Sequence, residues 1–232
     1  MSKAFRQGLS DGLPIGLGYF SVSLGFGVLA VNLKITAFFA WLISATNLTS
    51  AGQAVGVEII AGCGTLLEMA LTQLVINMRY SLMGFSLTQK LDDSFTTPKR
   101  MLLSFGITDE IYAVAVSKKG RISPAYMLGL IVIPFIGWTG GTLVGAFASQ
   151  LLPELIANVM GILLYGMFIA IFVPASRKSK PILLAVAVSA LSSIAFRYLL
   201  TFVSGGFSII LSALIASVIC ALLFPVSQED SE

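Results

Sequence analysis

Two adjacent acids, Asp109 and Glu110, lie near the middle of an otherwise apolar stretch of 17 residues, Met101–Ser117. Carboxylates at membrane depth are costly to keep and mark the paths of protons, ions or charged substrates. On one helix, neighbouring residues point about 100° apart. One acid is therefore expected to serve a cavity and the other a helix contact. The alternative, a segment on the membrane surface with both acids in water, sits poorly with apolar flanks on every side.

A second set of polar residues lies in the apolar run Thr65–Leu87, which holds Glu68, Thr72, Gln73, Asn77 and Arg79. At helical spacing Glu68, Thr72 and Arg79 share a face within roughly 40°, and Gln73 and Asn77 lie on the other side. Glu68 and Arg79 are about 16 Å apart along such a helix, too far to pair. Arg79 is expected to meet the acids of Met101–Ser117 instead; snorkelling to the interface is the other reading for both charges. Third, the polar run Ser44–Gln53 interrupts the apolar stretch Ile35–Gly62. A helix broken there would turn unpaired N–H groups and a positive dipole end toward a carboxylate, whereas an ordinary extramembrane turn would place it in water. Glu58 follows the break as another acid within an apolar run, and Arg197 reads as an interface anchor.

The elements that must hold these groups are legible in the composition. The 232-residue chain is 56% apolar and 11% charged, with a mean hydropathy of +0.94. That is more apolar surface than a soluble domain of this size can bury. The net charge of +3 is scattered, with no basic cluster beside an aromatic platform, so no nucleic-acid partner is expected. The absence of His excludes His-built metal sites and Ser-His-Asp chemistry, and no other nucleophile and base pair up. Neither an enzyme nor a cofactor is expected. Cys63 and Cys220 lie in apolar stretches and read as small buried thiols.

A span needs about 20 mainly apolar residues. Leu13–Leu33, Thr65–Leu87, Ala125–Leu152 (bent at Pro134), Leu155–Pro174, Ile182–Val203 and Phe207–Phe224 qualify. Ile35–Gly62 and Met101–Ser117 are irregular. The fold expected is an all-α polytopic transmembrane helical bundle of six to eight crossings, with one or two broken or re-entrant segments. Lys3 and Arg6, Lys118-Lys119-Arg121 and Arg177-Lys178-Lys180 are the basic clusters, and the excess of Lys and Arg on the cytoplasmic side places both termini there. The apolar run after Arg6 is read as a retained first span rather than a cleaved signal. A single domain, residues 1–232, contains a faint echo between 1–120 and 121–232: Leu13-Pro14-Ile15 with Ile133-Pro134-Phe135, and Arg79-Tyr80 with Arg197-Tyr198. Repeated halves and interrupted segments are frequent in transporters.

Gly12-Leu13-Pro14-Ile15, Gly25-Phe26-Gly27, Ala51-Gly52-Gln53, Asn77-Met78-Arg79-Tyr80, Thr108-Asp109-Glu110 and Trp138 followed by Gly141 stand in this order along nearly the whole chain. This order resembles the AzlC-type branched-chain amino-acid permease family. The resemblance implies a plasma-membrane exporter of leucine-like amino acids that works with a small hydrophobic AzlD-like subunit. It departs from the family pattern at Ala54, where an aromatic residue commonly follows the Gln, which bears on the pocket and substrate choice. A zwitterion with an apolar tail needs a cation, an anion and an apolar wall. Ala51, Gly52, Gln53, Asn77 and Arg79 are the candidates for the carboxylate. Asp109, Glu110 or Glu68 would meet the ammonium or carry a coupling proton. Gly140, Gly141 and Gly145 offer a surface on which a helix could dock closely. A channel or a non-transporting subunit is the rival reading.

Overall fold

The computed structural model describes residues 2–149, 179–200 and 202–224, with the isolated positions 166, 169, 173, 174, 176 and 177. Among the described residues the regular structure is helical throughout, apart from one isolated bridge between Leu91 and Ile122. The helices are α1 (Lys3–Asn32), α2 (Ala37–Thr46), α3 (Ala51–Ala61), α4 (Leu66–Thr88), α5 (Thr97–Ser104), α6 (Asp109–Ser117), α7 (Pro124–Ala148), α8 (Lys180–Tyr198) and α9 (Gly205–Leu223). By length and composition α1, α7, α8 and α9 can each cross a membrane. With 23 residues α4 is also long enough, although Glu68 and Arg79 lower its hydropathy. The expected span Leu155–Pro174, the end of Ala125–Leu152 and Lys178 lie outside the described residues.

The centre of the fold is a parallel pair, α1 and α7. Gly8 lies against Tyr126 and Gly129, Gly16 against Ile133 and Gly137, and Gly27 against Thr142 and Ala146, so the two helices stay in register along their length. A Cβ on Gly8, Gly137 or Gly145 would fall inside the facing backbone carbonyl, of Tyr126, Gly16 and Leu24 respectively. Only glycine permits this approach, and small residues are what let helices associate in a bilayer, where no hydrophobic drive joins them. This corrects one expectation: Gly141 and Gly145 are buried against α1 and are not a free docking face, while Gly140 alone has open space beside it. Pro14 and Pro134 both lie within this pair.

Because the pair is parallel, Lys3 and Arg6 lie at the same end as the start of α7, where the Lys118 ammonium sits 4.1 Å from the centre of the Tyr126 ring. Lys90 joins them, donating to the Val116 and Lys118 carbonyls at the end of α6. This is the basic end of the molecule.

From the opposite end, α2 and α3 form a hairpin that dips in and returns. Ala40 on α2 and Val57 on α3 share one buried cluster with Phe26 and Ala30 near the end of α1. Between these arms the chain turns through Asn47–Ser50, and Ser50 takes a positive φ of 40°. α5 and α6 form a second hairpin, entering from the basic end. Leu103 on α5 and Ile111 and Ala115 on α6 all pack with Tyr126 and Met127. At its tip Gly106 rests on Ile131, and the Phe105 and Phe135 rings meet at 6.2 Å.

Met101–Ser117 is thus not one segment with acids at its middle. It is an arm, a tip and a returning arm, and Asp109 and Glu110 open the first turn of α6 behind the capping hydroxyl of Thr108. The two irregular stretches of the N-terminal half are thus helical hairpins, in keeping with the broken segments expected there. α4 crosses between the hairpins, from Glu68 at the opposite end to Leu87 in the cluster at the basic end. α8 and α9 form an antiparallel pair, with the Cys220 thiol 3.6 Å from the Pro181 carbonyl. Cys63, expected to be buried, is exposed at the end of the first hairpin with a φ of 54°.

Candidate functional site

The start of α6 and the start of α3 both meet the middle of the α1–α7 pair, at Tyr19 and Trp138, and Arg79 joins the two acids there. Arg79 and Asp109 form an ion pair at 2.7 Å, with side chains 42% and 37% exposed. The pair is therefore only partly covered by protein. The guanidinium also lies 5.0 Å from the Tyr80 ring centre and donates to its hydroxyl at 3.2 Å. Glu110, turned away from Asp109, accepts from the Tyr19 hydroxyl on α1. Thr108 Oγ1 lies 2.6 Å from that hydroxyl and accepts from the Ile111 N–H as the helix cap. Both acids thus occupy a helix N-terminus, where the positive dipole end offsets their charge. The two neighbouring acids face different partners: Asp109 meets the Arg79 guanidinium, and Glu110 joins α6 to α1.

The Tyr19 ring links this cluster to the other hairpin. It meets Trp138 edge to face at 5.4 Å. The Trp138 indole N–H donates to Gln53 Oε1 at 2.9 Å, and Gln53 Nε2 donates to Ser44 Oγ at 2.9 Å. Ser44 and Thr142 join their hydroxyls at 2.7 Å, and Thr142 donates to the Trp138 carbonyl. Gln53 is 1% exposed and both ends of its amide are engaged. It clamps α2, α3 and α7 together, with one hydrogen bond at each end of its amide. Gly52 presents its carbonyl to Gln73 Nε2 at 2.7 Å, and Asn77 donates to Gln73 Oε1 at 3.0 Å. A Cβ at Gly52 would strike Thr49 Oγ1, which makes glycine the residue that fits. Ala51 opens α3 behind Ser50, whose side chain makes no capping bond. The buried oxygens Thr49 Oγ1 and Asn77 Oδ1 have no hydrogen-bond partner among the described residues. Polar capacity therefore remains around the start of α3.

Arg79, Asp109, Glu110, Asn77 and Ala51-Gly52-Gln53 all lie around this middle stretch. Glu68 does not. It is buried at the opposite end of α4, where it accepts from the Ser204 hydroxyl and, at 2.9 Å, from the Gly206 N–H at the start of α9. Sharing a helix face with Arg79 did not bring it to the same height. Tyr19 is the contributor not anticipated, a neutral side chain inside an apolar run, and Gln73, on the same face as Asn77, joins Asn77 to Gly52.

A family model described as "AzlC protein" matches residues 14–152. The inner membrane protein YgaZ of Escherichia coli (strain K12) is 28% identical over 235 residues, covering 98% of this chain and 91% of its own. The branched-chain amino acid transport protein AzlC of Bacillus subtilis (strain 168) is 20% identical over 234 residues, covering 98% and 88%. An uncharacterized membrane protein of Archaeoglobus fulgidus is 30% identical over 151 residues, 65% of each chain. No solved structure matches.

Proposed function

The chain belongs to the AzlC family, and from that premise we propose that it is a secondary transporter exporting branched-chain amino acids across the plasma membrane, as the large subunit beside a small hydrophobic partner. The observation that carries this reading is the Arg79–Asp109 pair, only partly covered where the start of α6 meets the middle of the α1–α7 pair. A zwitterionic amino acid can insert into such a pair by exchange. Its carboxylate takes Arg79 and its ammonium takes Asp109, so neither protein charge is left uncompensated at membrane depth. The start of α3, with Thr49 and Asn77 beside it, offers further polar contacts to the carboxylate. Glu110, held by Tyr19, is the candidate carrier of a coupling proton.

Lys3, Arg6, Lys90, Lys118, Lys119 and Arg121 gather at one end, whereas Lys34 and Arg197 lie toward the other. The positive-inside rule then puts the basic end in the cytoplasm, and export runs from that end outward. The partner subunit rests on the resemblance to the family.

Flux of labelled leucine in proteoliposomes, with and without the partner, tests the reading. Asp109→Asn and Glu110→Gln should each abolish flux while the protein stays folded in the membrane. Wild-type rates in both variants would overturn it, and robust flux from the chain alone would remove the partner from it.

A further inference from the structure

A cavity of about 710 Å³ opens at the end opposite the basic one, between the close of α3, the start of α4, the close of α8 and the start of α9. It holds Arg197, Glu58 and Glu68 beside Ile59, Phe196 and Ile209. This is the combination an aliphatic amino acid requires: a guanidinium for its carboxylate, a carboxylate for its ammonium and an apolar wall for its tail. The volume falls in the range of small-molecule sites, roughly 300–1,000 Å³.

Glu68 gives the cavity a fixed floor. It is 5% exposed, and its two hydrogen bonds to Ser204 and Gly206 pin the start of α9 to α4. Thr72, one turn further along α4, is fully buried beside Gly206, where a Cβ would lie 2.8 Å from its hydroxyl. That hydroxyl has no hydrogen-bond partner among the described residues. Thr72 lies behind the cavity floor and does not line it.

We propose that this cavity is a second, outward amino-acid site, which holds a branched-chain amino acid after it leaves the Arg79–Asp109 pair. Arg197 binds the carboxylate and Glu58 meets the ammonium, while Glu68 stays on the start of α9 and keeps the floor in place. The proposal rests on the transport reading for its substrate class. About 16 Å of α4 separates Glu68 from Arg79, so the two sites can be occupied independently.

Cys63 lines the same cavity and is exposed, which supplies a native probe. In a Cys220→Ala background, alkylation of Cys63 by a small polar reagent should slow at least threefold when leucine is added, and not when glutamate is. Protection should persist in Arg79→Gln, which empties the central site, and disappear in Arg197→Gln. The variant Arg197→Lys, which keeps the charge, should retain part of the protection and shows that loss in Arg197→Gln is not misfolding. Leucine flux without any protection of Cys63 would overturn the second site and leave the transport reading standing. Protection that vanishes in Arg79→Gln would also overturn it, since Cys63 would then be reporting the central site. Protection without flux would keep the cavity as a binding site and sink the transport reading.

Discussion

A guanidinium can release one carboxylate and take another without losing its charge, and its planar fork suits the bidentate geometry that a point charge does not. Arg79→Lys should therefore lose most leucine flux, with the protein still present at normal levels; full flux in that variant would reduce Arg79 to an interface anchor. Tyr19→Phe is the sharper probe. It removes the hydroxyl from Glu110 and leaves the ring on Trp138. Loss of a bond to a buried charged group costs about 1–3 kcal/mol of stability, so the melting temperature in detergent should fall, and flux per folded protein should fall with it because Glu110 loses the group that holds it. An equal loss in Trp138→Phe, which keeps a ring and releases Gln53, would show that the chain from Glu110 to Gln53 acts as a unit. The charged half of this site was legible in the sequence, because Arg79, Asp109 and Glu110 each interrupt an apolar run and each needs a partner. The neutral half was legible only in part: Gly52, Gln53 and Asn77 stand out as small or polar residues within apolar runs, whereas Tyr19 carries no such signal, and Glu68 could be placed on a face but not at a height.

Hydropathy counts apolar residues and is blind to a reversal of direction, so the two hairpins read as one doubtful span each. What betrays them is local: Gly106 and Thr108 at one tip, and Asn47, Thr49 and Ser50 at the other, each set beside arms of 8 to 11 residues that are too short to cross. Non-helical backbone at such depth persists only where protein or water satisfies it. A Cys at Ser50 or Ala51 should accordingly react with a small polar thiol reagent more slowly than one at Ser94, in the exposed loop before α5, and leucine should slow it further. Equal rates at both positions would mean that the first tip is an outside turn. The α1–α7 seam makes a separate demand. Gly137→Ala and Gly145→Ala push a methyl into a facing carbonyl, and such overpacking costs about 1–3 kcal/mol. Both should lower the melting temperature in detergent, whereas Gly140→Ala, with nothing within 4 Å, should not.

The parallel course of α1 and α7 gathers the basic residues at one end, and the orientation proposed above places that end in the cytoplasm. Lys119→Cys and Ser94→Cys should be shielded from a membrane-impermeant thiol reagent in intact cells and react after permeabilisation, while Cys63 reacts from outside. The opposite pattern would invert the orientation and turn export into uptake. Each hairpin, moreover, leaves by the face it entered, so it adds nothing to the parity of crossings. The address of every downstream segment is written by the full spans alone, and the two elements that build the central site can be lengthened, shortened or removed without turning the rest of the protein over. Excising residues 36–64 should abolish flux yet leave a reporter at the C-terminus on the same side as in the intact chain; a reporter that switched sides would show that the hairpin had been a crossing after all.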